Sequence, residues 1–294
     1  MSEICLWKEK YRIGNNEIDE QHYLLFSKIE NLLVIARSGD LENKKKECQE
    51  LIEFLIEYTK FHFEAEEKIQ REMQYVGYTQ HVWIHQGFIK TIQDYREKME
   101  QDFSLNTLKS FAGTLLTWLA QHVCECDRKI MSNTPLENQS ALAGTAENID
   151  LIVSKLLEDI CGVKVRNAKS CLYKGFVEGS VFVRRLATGE SRYVFLYGLS
   201  EQLAREIYFT ISSLQIEDIE KLDEIESSAL SEITNIMTTY ITGVLSDEPS
   251  ADFKYEDAVY TGKYTDGTYN LADGIVISIE TDHGKMEVLY CKVK

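Results

Sequence analysis

Across the first 130 residues apolar side chains return every three or four positions in four long runs, 18–37, 42–74, 80–101 and 105–128. The breaks between runs hold Gly, Asn, Ser or Asp, as in Ser38-Gly39-Asp40. This period predicts amphipathic helices, and four of them with short connections predict an up-down-up-down bundle. From Met131 to Asn148 the period is lost among Ser132, Asn133, Thr134, Pro135, Asn138, Ser140 and Gly144, which reads as a linker. The texture then changes. Strands are expected over 174–184 and 192–197 around a turn at Thr188-Gly189, then a helix from the N-cap Ser200 to Ser213 and another over 222–245. A final hairpin alternates Ile275, Ile277 and Ile279 with Met286, Val288 and Tyr290 across Asp282-His283-Gly284. The expected architecture is multi-domain: an all-α four-helix bundle over 1–130, a linker over 131–148 and an α+β domain over 149–294.

A chain of 294 residues can bury two such cores, and 44% apolar with 27% charged residues is a folded composition. No apolar run approaches the roughly 18 residues that span a bilayer. The opening MSEICLWKEK is mixed and acidic rather than basic then apolar, so no secretory signal and a cytoplasmic location are expected. A formal charge of -16 repels phosphate backbones and anionic lipids, which argues against nucleic acid and membrane partners. Seven cysteines without framework spacing read as reduced thiols.

The histidines carry the chemistry. Of six, five fall inside the four helical runs, each where a core apolar residue is due. The stripes are His22, Leu25, Ile29, Leu32, Ala36; Leu51, Leu55, Tyr58, His62, Glu66, Ile69; His81, His85, Phe88, Ile92, Tyr95, Met99; and Leu108, Phe111, Leu115, Trp118, His122. His62 with Glu66 and His81 with His85 are four apart, so each pair presents two donors from one face. Asp127 lies five beyond His122, roughly 140° around an ideal helix, and needs a bend or wide turn to join them. A single core histidine is usually just hydrogen-bonded. Five imidazoles and two carboxylates in one dry core carry a desolvation cost of several kcal/mol unless a cation offsets it. Seven mixed donors exceed one tetrahedral ion and fit two metals bridged by carboxylates.

Residues 7–130 resemble a bacterial hemerythrin domain through Trp7, Ile13-Gly14, Ile18-Asp19-Glu20-Gln21-His22, His62-Phe63-x-x-Glu66-Glu67, His81-x3-His85-x-x-Phe88 and Trp118-x3-His122-x4-Asp127. Val76-Gly77 stands where that family often has a proline. The resemblance implies a non-haem di-iron centre with an oxo or hydroxo bridge. It places His81, His85 and His122 on one iron, His22 and His62 on the other, and Glu66 and Asp127 across both. Dioxygen would bind at the iron with fewer histidines. Cys124 and Cys126 flank a ligand segment and read as buried thiols, and His283 reads as a surface residue of the hairpin turn.

In the 222–245 run, Ser228, Glu232, Asn235 and Thr239 share a polar face opposite Ile225, Ala229, Ile233, Ile236, Tyr240 and Val244. A solvated face is the plain meaning of such a cluster. The segment from Glu226 to Asn235 also resembles the signature of the CheC/CheX chemotaxis phosphatases, a Ser or Asp, then Glu four later, then Asn three later. That resemblance covers about 150–294. It implies hydrolysis of the aspartyl phosphate on a CheY-like receiver, with Asn235 holding an in-line water, Glu232 pairing with the receiver's lysine, Ser228 assisting and Mg2+ supplied by the receiver. A homodimer through this half is a further expectation. Together the halves suggest a dioxygen-responsive regulator of a receiver. The rivals are an oxygen carrier or scavenger, or an iron or redox sensor, whose second half dimerises or binds a receiver without catalysis.

Overall fold

The structure, a computed structural model, describes residues 6–134, 146–245, 254–262, 264 and 269–293. The chain forms two compact units, one built on residues 1–137 with 211–213 and the other on 138–210 and 214–294.

In the first unit a short 3-10 turn, Glu9–Tyr11, precedes α1 (Asn16–Ser38), α2 (Leu41–Glu72), α3 (Tyr78–Gln101) and α4 (Leu105–His122). A π-helical segment, Val123–Asp127, and a last turn, α5 (Arg128–Met131), follow. Local chemistry sets the ends. The Asn15 carboxamide oxygen accepts from the N–H groups of Glu17 and Ile18 at 3.1 and 3.2 Å, which caps α1. That helix stops at Gly39, whose φ of 70° suits glycine. Ser104 caps α4 by accepting from the Thr107 N–H at 3.2 Å. The stripes of α1 and α4 are buried as expected. On α2, however, Leu51, Tyr58 and Ile69 are only half-buried, while Ile52, Ile56, Thr59 and Phe63 turn inward. A repeat of 3.6 drifts around a 32-residue helix, so one fixed stripe cannot describe its whole length.

The second unit holds α6 (Ala146–Cys161), β1 (Val165–Leu172), β2 (Val181–Thr188), β3 (Arg192–Leu199), α7 (Glu201–Ser212), α8 (Glu224–Leu245), β4 (Lys254–Thr261), β5 (Ile275–Thr281) and β6 (Gly284–Val293). Its strands form an antiparallel sheet in the order β1-β5-β6-β3-β2-β4. Alternation along β2 and β3 sends Phe182, Leu186, Val194 and Leu196 to one core and Val183, Arg185, Phe195 and Tyr197 to the face under α8. Asp223 opens α8 with a reciprocal cap. Its carboxylate accepts from the Ile225 and Glu226 N–H groups, and the Glu226 carboxylate accepts from the Asp223 N–H at 2.9 Å.

Several expectations need correction. The strand expected from residue 174 starts at Val181, because Gly175 takes a φ of 95° and breaks the extended run. Helix α6 and strands β1 and β4 are unanticipated. For α6 the signal is present: Ile149, Ile152, Val153, Leu156, Leu157 and Ile160 repeat with the helical period and are buried. Most of the expected linker, residues 135–145, lies outside the described residues, and Ala146 already begins α6. No described helix is long and apolar enough to cross a membrane.

Candidate metal centre

Four helices and the π segment bring seven side chains to one buried place: His22 from α1, His62 and Glu66 from α2, His81 and His85 from α3, His122 from α4 and Asp127 from the π segment. None is more than 1% exposed. The π segment answers the five-residue spacing. Its wider turn gains one residue per revolution, so His122 and Asp127 end on the same side, with Nε2 and Oδ1 3.0 Å apart.

The donors sort into two overlapping groups that could each hold a metal ion, Glu66 with His81, His85 and His122, and Glu66 and Asp127 with His22 and His62. Glu66 Oε2 lies 3.4 Å from His81 Nε2 and 3.2 Å from His85 Nε2. Asp127 points one oxygen at each group: Oδ1 is 3.3 Å from His81 Nε2, and Oδ2 is 3.2 Å from His22 Nε2. His122 Nε2 lies 3.1 Å from His81 Nε2 and 3.0 Å from His85 Nε2. Separations near 3 Å are the edges of a coordination shell whose ligands sit about 2.0–2.2 Å from a shared ion. Both oxygens of Glu66 and of Asp127, and Nε2 of His22 and His62, are buried without a hydrogen-bond partner, which a central cation would supply.

Electrostatics agree. Burial strips the proton from His62, whose pKa falls to about 3, helped by repulsion from His22. Burial likewise lowers His122 to about 4 despite Asp127 beside it. Burial opposes charge on His81 too, but the Asp127 and Glu66 carboxylates 3.3 and 3.4 Å away outweigh it and lift the pKa to about 9. Burial disfavours ionised Glu66 and Asp127, yet the imidazoles facing each hold both below the usual carboxylate range. Two buried carboxylates facing imidazole nitrogens make a donor set that a cation would satisfy.

The rings are held from outside. His62 Nδ1 donates to Gln21 Oε1 at 2.9 Å, and His85 Nδ1 donates to Glu67 Oε1 at 3.0 Å, which leaves each Nε2 bare toward the centre. Phe63 stacks on His85 with centroids 3.7 Å apart, and Trp118 stacks on His122 at 4.3 Å. The same Phe63 and Trp118, with Leu25, Leu55, Phe88 and Leu115, line an apolar cavity of about 10 Å³. In the sequence Gln21 and Glu67 stand only as neighbours of ligands, because each meets the ring it supports, His62 on α2 and His85 on α3, only in the fold.

Comparison with known proteins agrees with this geometry. The family model described as hemerythrin HHE cation binding domain matches residues 14–132. A bacteriohemerythrin of Pseudomonas paraeruginosa is 30% identical over 118 residues, 40% of this chain and 73% of that protein. The chain belongs to the hemerythrin family. A bacteriohemerythrin of Clostridium acetobutylicum is 27% identical over 129 residues, 43% of this chain and 98% of its own. The hemerythrin match is confined to the first half. Solved structures similar to the second half include a chemotaxis protein CheX from Desulfovibrio desulfuricans (18% identity, TM-score 0.40, covering 50% of this chain and 97% of that one) and a CheX-CheY-BeF3-Mg2+ complex from Borrelia burgdorferi (15%, 0.40, 51% and 99%).

Within the hemerythrin domain Asp19, in the middle of the motif, faces away from the centre: its oxygens accept from the N–H groups of Ile13 at 2.7 Å and Gly14 at 3.3 Å. Cys124 and Cys126 are buried, and burial raises both thiols, which suits packing rather than ligation. In the second unit Ser228, Glu232 and Asn235 are half-buried on α8, and the Asn235 amide donates to the Glu232 carboxylate at 3.4 Å. His283 is partly exposed, 3.4 Å from Glu206.

Proposed function

We propose that this chain is an oxygen-responsive signalling protein, in which a di-iron hemerythrin domain governs a CheX-like phosphatase acting on the aspartyl phosphate of a CheY-like receiver. The carrying observation is the convergence of seven buried donors on two overlapping groups that share Glu66. His81, His85 and His122 would hold one iron, His22 and His62 the other, with Glu66 and Asp127 across both. The iron pair, when bound, supplies the electrons that hold dioxygen. Two imidazoles against three leave the open position beside His22 and His62.

For the second half the support is the motif from Ser228 to Asn235 and the pairing of Glu232 with Asn235 on an accessible face of α8. An acyl phosphate is already reactive, so placing water in line and matching charge suffice. Asn235 both donates and accepts, which suits a water, while Glu232 suits a receiver lysine and Mg2+ arrives with the receiver.

Anaerobic purification with iron quantification, then a spectrum on admitting air, tests the first half. Two irons per chain and a new ligand-to-iron band support it, and iron-free protein after growth with ample iron overturns it. For the second half, phosphate loss from a phosphorylated receiver is expected to quicken with this protein and to return to the spontaneous rate with Asn235→Ala. An unchanged rate with the wild-type chain leaves the carrier or binding-module reading.

A further inference from the structure

The supports of the ligand rings are unequal. Among the described residues two of the five imidazoles have an acceptor at Nδ1, and those of His22, His81 and His122 have none. The two supported rings fall in different donor groups, His85 with His81 and His122, and His62 with His22. Their acceptors differ in charge. Glu67 presents a carboxylate to His85 at 3.0 Å, with 21% of its side chain exposed, whereas Gln21 presents a neutral amide oxygen to His62 at 2.9 Å from a site 5% exposed.

A carboxylate draws the Nδ1 proton toward itself and gives the ring imidazolate character, which makes Nε2 a stronger donor; an amide oxygen does so far less. A stronger donor stabilises the higher oxidation state. We propose that Glu67 and Gln21 are opposed tuning residues that make the His81–His85–His122 position the easier to oxidise and keep the His22–His62 position ferrous to higher potential. This inference rests on the di-iron reading. The step concerned is one electron leaving an iron(II) to give iron(III), taken up by an external mediator, while the Nδ1 proton stays in its hydrogen bond. Orientation is not the whole account, since Phe63 lies parallel to His85 within 3° and already fixes that ring.

The test uses near-isosteric swaps in the full chain loaded with iron. Wild type, E67Q and Q21E are titrated with a reductant in the presence of mediators, following the absorption bands and the paramagnetic signal of the mixed-valence form. E67Q keeps an amide oxygen for His85 but removes the charge. It is expected to raise the midpoint of the first iron to oxidise by about a tenfold change in the ferric-to-ferrous ratio, about 59 mV for one electron. Q21E is expected to move the other step down and narrow the interval between the two. If Q21E does not load iron, E67Q alone decides. Midpoints unmoved in iron-loaded E67Q overturn the proposal, for they would show that Glu67 only holds the ring. Wild-type protein that takes up no iron overturns the di-iron reading and this inference with it, and the iron count tells that failure apart from unmoved midpoints.

Discussion

Asp19 shows how one carboxylate among ligands can serve a different end. It is 5% exposed, and both oxygens are spent on the backbone of Ile13 and Gly14, where Gly14 takes a φ of 93° that a side chain would strain. Asp19→Ala leaves two N–H groups to find water or go unpaired. It is expected to cost about 1–3 kcal/mol in denaturant unfolding with iron content unchanged. Glu66 is the opposite case, since its oxygens are shared between both donor groups. Glu66→Ala is expected to lower metal affinity more than the loss of any single histidine and to leave at most one iron per chain, read by elemental analysis after dialysis. Gly77 makes a third point: an added Cβ would lie 2.7 Å from the Tyr75 ring, so glycine here leaves room for an aromatic rather than freedom for a turn.

Among the elements, the π segment is the one a metal should hold most directly. Its five residues carry Asp127, and π geometry is rarely stable on hydrogen bonds alone. Removing iron with a chelator is expected to quicken amide exchange over 123–127 more than in the middle of α1, and to lower the unfolding temperature, since a ligand at 1,000 times its Kd contributes about 4 kcal/mol. Most of the bundle was legible because each helix carries its own period and its own histidine. The π turn was legible only as a demand: five residues between His122 and Asp127 do not fit an α-helix, but nothing local in Val-Cys-Glu-Cys says how the mismatch is resolved. The second unit was less legible. β1 and β4 stand at the two edges of the sheet, half-buried or exposed, and so lack the alternation that betrays a strand with one covered face. Likewise the face of α8 toward the sheet looked apolar, yet its anchors are polar. Arg185 donates to the Ser231 carbonyl at 3.1 Å, Tyr197 pairs with Thr238 at 2.7 Å, Thr242 with Tyr255 at 3.2 Å, and Tyr193 donates to the Leu245 carbonyl at 3.0 Å. Tyr197→Phe removes one buried partner from Thr238 and is expected to cost about 1 kcal/mol by thermal unfolding.

At the scale of the molecule the proposed function has the state of one unit alter the work of the other. The expected outcome is that a phosphorylated receiver loses phosphate at different rates in the presence of deoxygenated and oxygenated protein, measured in the same buffer with iron content held equal. Identical rates would mean two independent activities on one chain. The pinning of α8 limits what form such an influence can take. A greasy helix can creep along a sheet, exchanging one contact for a similar one. This one is latched at several heights by directional hydroxyl and guanidinium contacts from three strands, so a shift by a turn would unfasten them all at once. A message arriving at Glu232 and Asn235 must therefore change what approaches that face, or shake the latches loose together, rather than slide the helix beneath it.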